Sequence, residues 1–114
     1  MFTDIGGFTQ MTEEMGEEYS RNVRVHHDNI LVDTIEGDGV GLVIKFIGDA
    51  VMAILSEPSA AVERSLLIQE RIRAFNSEHT ELKDVLVRIG LHIGQVAIED
   101  NIQADVFDRH VNRA

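Results

Sequence analysis

Cysteine is absent from the sequence, so no disulfide framework staples the fold and no thiolate serves as nucleophile or metal ligand. That absence suits a reducing compartment, and the chain is read as cytoplasmic. Basic residues are scarce: ten Lys and Arg stand against twenty Asp and Glu, a formal charge of −10. A surface of that sign repels nucleic-acid backbone and anionic lipid, so neither is an expected partner. A multivalent anion binds such a chain only with local help from cations or backbone amides, and metal ions are the obvious helpers. No apolar run approaches the ~20 residues of a membrane span, and no signal peptide is visible. Repeats, low-complexity tracts and linkers are missing too. What remains is 114 residues at 44% hydrophobic content, which implies one domain with a modest core.

Within that domain the order of elements is legible. Met1 to Ile5 reads as a strand, followed by Gly6-Gly7-Phe8-Thr9 and an acid-rich run through Glu13, Glu14, Glu17 and Glu18. Thr9 suits a helix cap, and acids near a helix start suit its dipole. A strand, a glycine pair and a helix N-terminus together form either a phosphate cradle or a plain tight β-to-α turn. A longer helix is predicted over 18–36, with Tyr19, Val23, His27, Ile30, Leu31 and Thr34 recurring at helical spacing. Gly37 is placed at its left-handed C-terminal stop. His26 and His27 are neighbours, so they point apart and form no ligand pair on one face; His27 is read as a packed or interface histidine. Pro58 marks the restart of a helix over 59–77. Its inner face holds Ala61, Ile68, Ile72 and Phe75, widened by Val62, Leu66 and Leu67. Glu63, Arg64, Glu70, Arg71 and Arg73 are assigned to solvent. From Val85 to Ile93 every odd position is apolar, with Arg88, Gly90 and His92 on the other face, which predicts a strand; Val96 to Ile98 extend or restart it.

Between the two long helices lies the stretch around which the rest is arranged, Lys45-Phe46-Ile47-Gly48-Asp49-Ala50-Val51-Met52. Strand-type residues run up to Gly48-Asp49 and away from it, which is the pattern of a β-hairpin. Asp49 has two readings: an ordinary turn residue, or a functional carboxylate. A second acid, Asp4, sits in a similar setting. The order β, helical stretch, hairpin, helix, β predicts an α+β fold of the ferredoxin-like kind, an antiparallel sheet with helices packed on one face. In that layout the first strand lies beside a hairpin strand, and Asp4 and Asp49 converge. Two carboxylates beside a phosphate cradle suit Mg²⁺ with a nucleotide, since Mg²⁺ takes one or two carboxylates together with water and phosphate oxygens.

Four blocks then resemble the class III nucleotidyl cyclases, in the right order: Phe2 to Thr9, Lys45 to Met52, Arg88 to Gly94 and Val111 to Ala114. The resemblance implies a βααββαβ cyclase core. It also implies conversion of ATP to 3′,5′-cyclic AMP and pyrophosphate at the interface of two cyclase domains, in a homodimer. It matches Asp4 and Asp49 to the aspartates that hold two Mg²⁺ or Mn²⁺ ions, and Ile5 to the residue that lends a backbone carbonyl. One metal would lower the pKa of the ribose 3′-hydroxyl for in-line attack on the α-phosphorus; the other would hold the β- and γ-phosphates. Gly6, Gly7, Phe8 and Thr9 would offer amides to those phosphates. Lys45 matches the purine-reading lysine and Asp105 its acidic partner, from the opposite protomer to the metal aspartates. An ammonium donor and a carboxylate acceptor suit adenine N1 and N6. Asn112 matches the asparagine that orients the ribose or α-phosphate.

The pattern also departs from the family. Asp108 stands where the family usually has glycine, and the transition-state arginine would fall four positions after Asn112, past Ala114; Arg113 does not take that role. The expectation is a single cyclase homology domain over 1–114, incomplete at both ends. Two further readings follow: a cyclase-like module that binds nucleotide or regulates without turnover, and a fragment that dimerises or aggregates through exposed apolar surface.

Overall fold

Four strands and three helices lie along residues 1–94, which the structure, a computed structural model, describes. Strand β1 (Phe2–Ile5) leads into α1 (Phe8–Met15) and α2 (Glu17–Glu36). The hairpin β2 (Gly41–Ile47) and β3 (Ala50–Leu55) follows, then α3 (Pro58–Glu78) and β4 (Val87–Gly90). The sheet order is β2-β3-β1-β4 and every neighbouring pair is antiparallel. That is the ferredoxin-like arrangement, in which each βαβ pair of parallel strands is split by an antiparallel strand between them. The βααββαβ order expected from the sequence is the order observed. Among the described residues no helix is long and apolar enough to cross a membrane.

The hairpin is tight because Gly48 adopts φ 58°, a left-handed value that a primed two-residue turn requires and that a side chain resists. Alternation along the strands then sorts residues to two faces. Thr3, Ile5, Val51, Ala53 and Val87 are buried against the helices; α2 packs across β2 and β3, and α3 across β3 and β4. From α2 come Val23, His27, Leu31, Thr34 and Ile35, and from α3 Ile68, Ile72 and Phe75. Each fully buried aliphatic side chain stabilises the fold by roughly 1.5–3 kcal/mol. His27 is packed as expected, 1% exposed, with Nδ1 2.9 Å from Asp28 Oδ1.

Several local expectations change. Thr9 is not the cap: α1 starts at Phe8, and Gly7 supplies a left-handed N-terminal residue (φ 70°) with no side-chain cap bond. Gly37 stays right-handed (φ −58°), and the left-handed turn comes two residues later at Gly39 (φ 78°). Gly16, also left-handed, separates α1 from α2. Val62 and Leu66 do not widen the inner face of α3; they are 52% and 67% exposed, because the sheet lies on the opposite side of that helix. Arg64 and Arg71 are not simply solvated. Arg64 pairs with Asp38, and Arg71 donates to Thr34 Oγ1 at 2.9 Å, bridging α3 to α2. Strand β4 is shorter than the alternation predicts: Leu91 and Ile93 are exposed and lie beyond its pairing with β1, which ends at Gly90. Val96 to Ile98 lie outside the described residues.

Candidate functional site

The site follows from the register of β1. Phe2 faces Met52 and Thr3 faces Val51 in the antiparallel β1–β3 pair, so the same register carries Asp49, in the hairpin turn, opposite Ile5. There the Ile5 N–H donates to Asp49 Oδ2 at 2.9 Å, and a turn carboxylate stands in for the next backbone acceptor of the sheet. On the other side of β1, Asp4 faces Arg88 directly in the β1–β4 pair. Arg88 Nε donates to Asp4 Oδ1 at 2.7 Å. Two carboxylates from distant parts of the chain therefore flank the C-terminal end of one strand.

Immediately beyond, the chain turns through Gly6 and Gly7 into α1. The Gly6 N–H is committed to the sheet edge, donating to the Leu86 carbonyl at 2.7 Å. The first intrahelical bond of α1 is Met11 N–H to Gly7 O, 2.9 Å. The N–H groups of Phe8, Thr9 and Gln10 precede it and have no carbonyl within the helix to bond. Asp4, Ile5, Gly7, Phe8, Thr9, Gln10, Asp49 and Arg88 line one cleft, with Phe2 and Ala50, of about 450 Å³. That volume is within the range of small-ligand sites.

The electrostatics of this cleft are mixed by design of the fold. The Asp4 carboxylate, with a smaller contribution from Asp49, holds the Arg88 guanidinium above the usual arginine range. One guanidinium thus feels both acids. The positive end of the α1 dipole faces the same space. The oxygen donors available to a cation are the Asp4 and Asp49 carboxylates and the Ile5 carbonyl, a hard set suited to Mg²⁺ or Mn²⁺ and not to a soft metal. Among the described residues no group of three His, Cys, Asp or Glu side chains could hold a metal. Two carboxylates nonetheless fit Mg²⁺, which keeps positions for water and substrate oxygens.

Of the residues singled out from the sequence, Asp4, Ile5, Asp49, Gly7, Phe8 and Thr9 line the cleft, and Gly6 lies behind it. Lys45 does not line it. It sits on β2 opposite Met52, which itself faces Phe2, two strand spacings or about 10 Å from β1. Asp105, Asp108 and Asn112 lie outside the described residues. Arg88 and Gln10 received no role from the sequence, although both face the cleft. The signal for Arg88 was present: it lies on the polar face of an alternating strand, and a strand that pairs antiparallel with β1 must bring some residue opposite Asp4.

The family model of the adenylate and guanylate cyclase catalytic domain matches residues 1–114. The chain is 32% identical over 129 residues to an adenylate cyclase of Anabaena cylindrica, covering 100% of this chain and 25% of that protein. It is 30% identical over 109 residues to the serine/threonine-protein kinase pkn2 of Myxococcus xanthus, covering 95% of this chain and 13% of that one. Among solved structures, a bacterial light-regulated adenylyl cyclase matches with a TM-score of 0.60 and 28% identity, over 75% of this chain and 26% of that chain. The chain therefore spans about a quarter or less of the relatives it matches.

Proposed function

We propose, from the premise that the chain belongs to the adenylate and guanylate cyclase catalytic domain family, that it is an adenylate cyclase domain converting ATP to 3′,5′-cyclic AMP and pyrophosphate. The observation that carries this reading is the convergence of Asp4 and Asp49 on the end of β1, with the Ile5 N–H bonded to Asp49 Oδ2 at 2.9 Å, at the mouth of α1. Asp4, Asp49 and the Ile5 carbonyl would hold two divalent cations. When bound, these supply Lewis-acid activation of the ribose 3′-hydroxyl and neutralisation of the triphosphate charge.

The remaining work falls to the chain's own groups. The amides of Gly7, Phe8 and Thr9 at the N-terminus of α1 bind phosphate oxygens, and the helix dipole favours their charge. Gly6 is left out of that cradle because its N–H serves the Leu86 carbonyl. Arg88 adds a guanidinium able to reach the phosphates from the β4 side. Bond making and breaking at the α-phosphorus then depend on positioning and charge stabilisation.

The purine is read by Lys45 and Asp105, and Asn112 orients the ribose or α-phosphate. Lys45 lies about 10 Å from the strand that carries Asp4, which supports a purine site completed by the Lys45 of a second domain. The face of the sheet turned away from the helices supports the same arrangement. It exposes Phe2 (41%), Leu42 (48%) and Ile47 (41%), an apolar surface beside the cleft that a second cyclase domain in a homodimer would cover.

The test is Asp49→Asn, which keeps an oxygen acceptor for the Ile5 N–H and removes the charge. Cyclic AMP formation from ATP and Mn²⁺ is expected to fall at least about a hundredfold while the thermal transition is retained. Unchanged turnover sinks the assignment. ATP-dependent thermal stabilisation without product, in the unmodified chain, instead identifies a cyclase-like binding module.

A further inference from the structure

The two carboxylates of the cleft are held in different ways. Asp49 is bonded to a backbone N–H of β1, a partner that cannot leave without opening the sheet. Asp4 is bonded to a side chain, Arg88, that is 70% exposed and reaches it through Nε. An ion pair at that exposure contributes little net stability, so its partner is readily exchanged. Among the described residues Asp4 is the hydrogen-bond partner of the guanidinium, and the one buried residue of β4, Val87, lies on the opposite, helix-facing side.

We infer that Arg88 is an exchangeable counter-ion of Asp4, competing with the divalent cation for this carboxylate and so making cation binding depend on an anionic ligand that draws the guanidinium away. The inference rests on the reading of Asp4 and Asp49 as a cation site. A carboxylate oxygen that accepts a charge-assisted hydrogen bond has less electron density to give a metal, and a fixed cationic group nearby raises the cost of bringing a second. A triphosphate reverses both terms. It offers Arg88 phosphate oxygens in the same cleft, which frees Asp4, and it brings negative charge for the metal. Cation and nucleotide then bind with positive coupling, and by linkage each strengthens the other by the same factor. Asp49, hydrogen-bonded to the Ile5 amide and not to the guanidinium, is the constant part of the site.

The experiment is a Mn²⁺ titration followed by electron paramagnetic resonance, without nucleotide, on the unmodified chain and on Arg88→Gln, Asp4→Asn and the double variant. A thermal melt accompanies each. At 70% exposure, Arg88 is replaceable without loss of fold. Arg88→Gln is expected to tighten Mn²⁺ binding at least about fivefold, at the low end of typical coupling factors, and to shrink the gain in Mn²⁺ affinity that a non-hydrolysable ATP analogue produces. The tightening should vanish in the double variant. If Asp4→Asn weakens Mn²⁺ binding but Arg88→Gln leaves it unchanged or weaker, the counter-ion role is overturned and the cation site stands. Tightening that persists without Asp4 is a general charge effect and also overturns it. Absence of any Asp4-dependent Mn²⁺ binding, with or without Arg88, overturns the cation site and this inference together.

Discussion

The two faces of this sheet are built from the same four strands, yet they obey different rules. On the helix side, Thr3, Ile5, Val51, Ala53 and Val87 are each under a tenth exposed, and their buried neighbours on α2 and α3 are mostly apolar, with His27 and Thr34 among them. On the other side, alternate residues of the same strands are Phe2, Asp4, Met52 and Arg88, partly or largely open to solvent. One face is occupied by packing. The other holds charges on regular strands, where a buried ion would be costly, and apolar residues that nothing in the chain covers among the described residues. The difference teaches that fold stability and function are separated by the period of two in a strand: a single residue such as Ile5 contributes its side chain to the core and its backbone to the cleft.

That separation is testable from both sides. The largest effect belongs to the covered face. Leu31, fully buried on α2, should lose about 2–5 kcal/mol of stability on replacement by Ala, read as a lower denaturant midpoint at unchanged slope. A loss below about 0.5 kcal/mol would mean that the helix layer is not the core described here. The open face should respond in the opposite sense. Leu42→Lys introduces a charge at an apolar residue that is 48% exposed, so the melt should be nearly unchanged while the dissociation constant of the proposed homodimer, measured by sedimentation, rises at least about tenfold. An unaltered dissociation constant removes this face from the dimer contact. The smallest effect lies at the rim. Lys83 Nζ donates to Glu14 Oε2 at 2.7 Å with both groups in solvent, and this holds the Glu14 carboxyl below its usual range. A carboxyl depressed in the folded state contributes stability above its unfolded pKa and loses it as pH falls through its folded pKa. Lys83→Ala should therefore leave the transition temperature within error at pH 7 and remove what small acid sensitivity the pair adds; a shift of several degrees at pH 7 would show that the pair anchors the 79–86 segment.

Much of the fold was open to reading from the chain. Helical spacing gave α2 and α3 within a residue or so of their ends, since Val23, His27, Leu31 and Thr34, like Ile68, Ile72 and Phe75, recur at the mixed four- and three-residue intervals that a helix, and not a strand, brings to one face. Gly48 between two β-rich runs marked the hairpin, and Pro58 marked the start of α3. Caps and strand ends were less legible. Thr9 has the right chemistry for a cap, but the chain enters the helix at Gly7, whose φ of 70° suits glycine, so the helix begins two residues earlier than a Thr9 cap would set it. Val62 and Leu66 have the right hydropathy for the core, but the sheet determines which stripe of α3 is covered.

The candidate site divides along the same line. By itself the sequence determined which groups can do chemistry: the carboxylates Asp4 and Asp49, the glycine turn into a helix start, and the net negative charge that calls for cations. Those are properties of residue type and local spacing, fixed before the chain folds. Only the tertiary structure decided who meets whom. The antiparallel register that sets Phe2 against Met52 and Asp4 against Arg88 brings Asp49 to the Ile5 amide, gives Asp4 its guanidinium, spends the Gly6 amide on Leu86, and keeps Lys45 two strands away. Residues 44 or 84 positions apart become neighbours through strand pairing, and pairing partners are chosen by burial of the whole helix-facing surface, which no local stretch of sequence encodes.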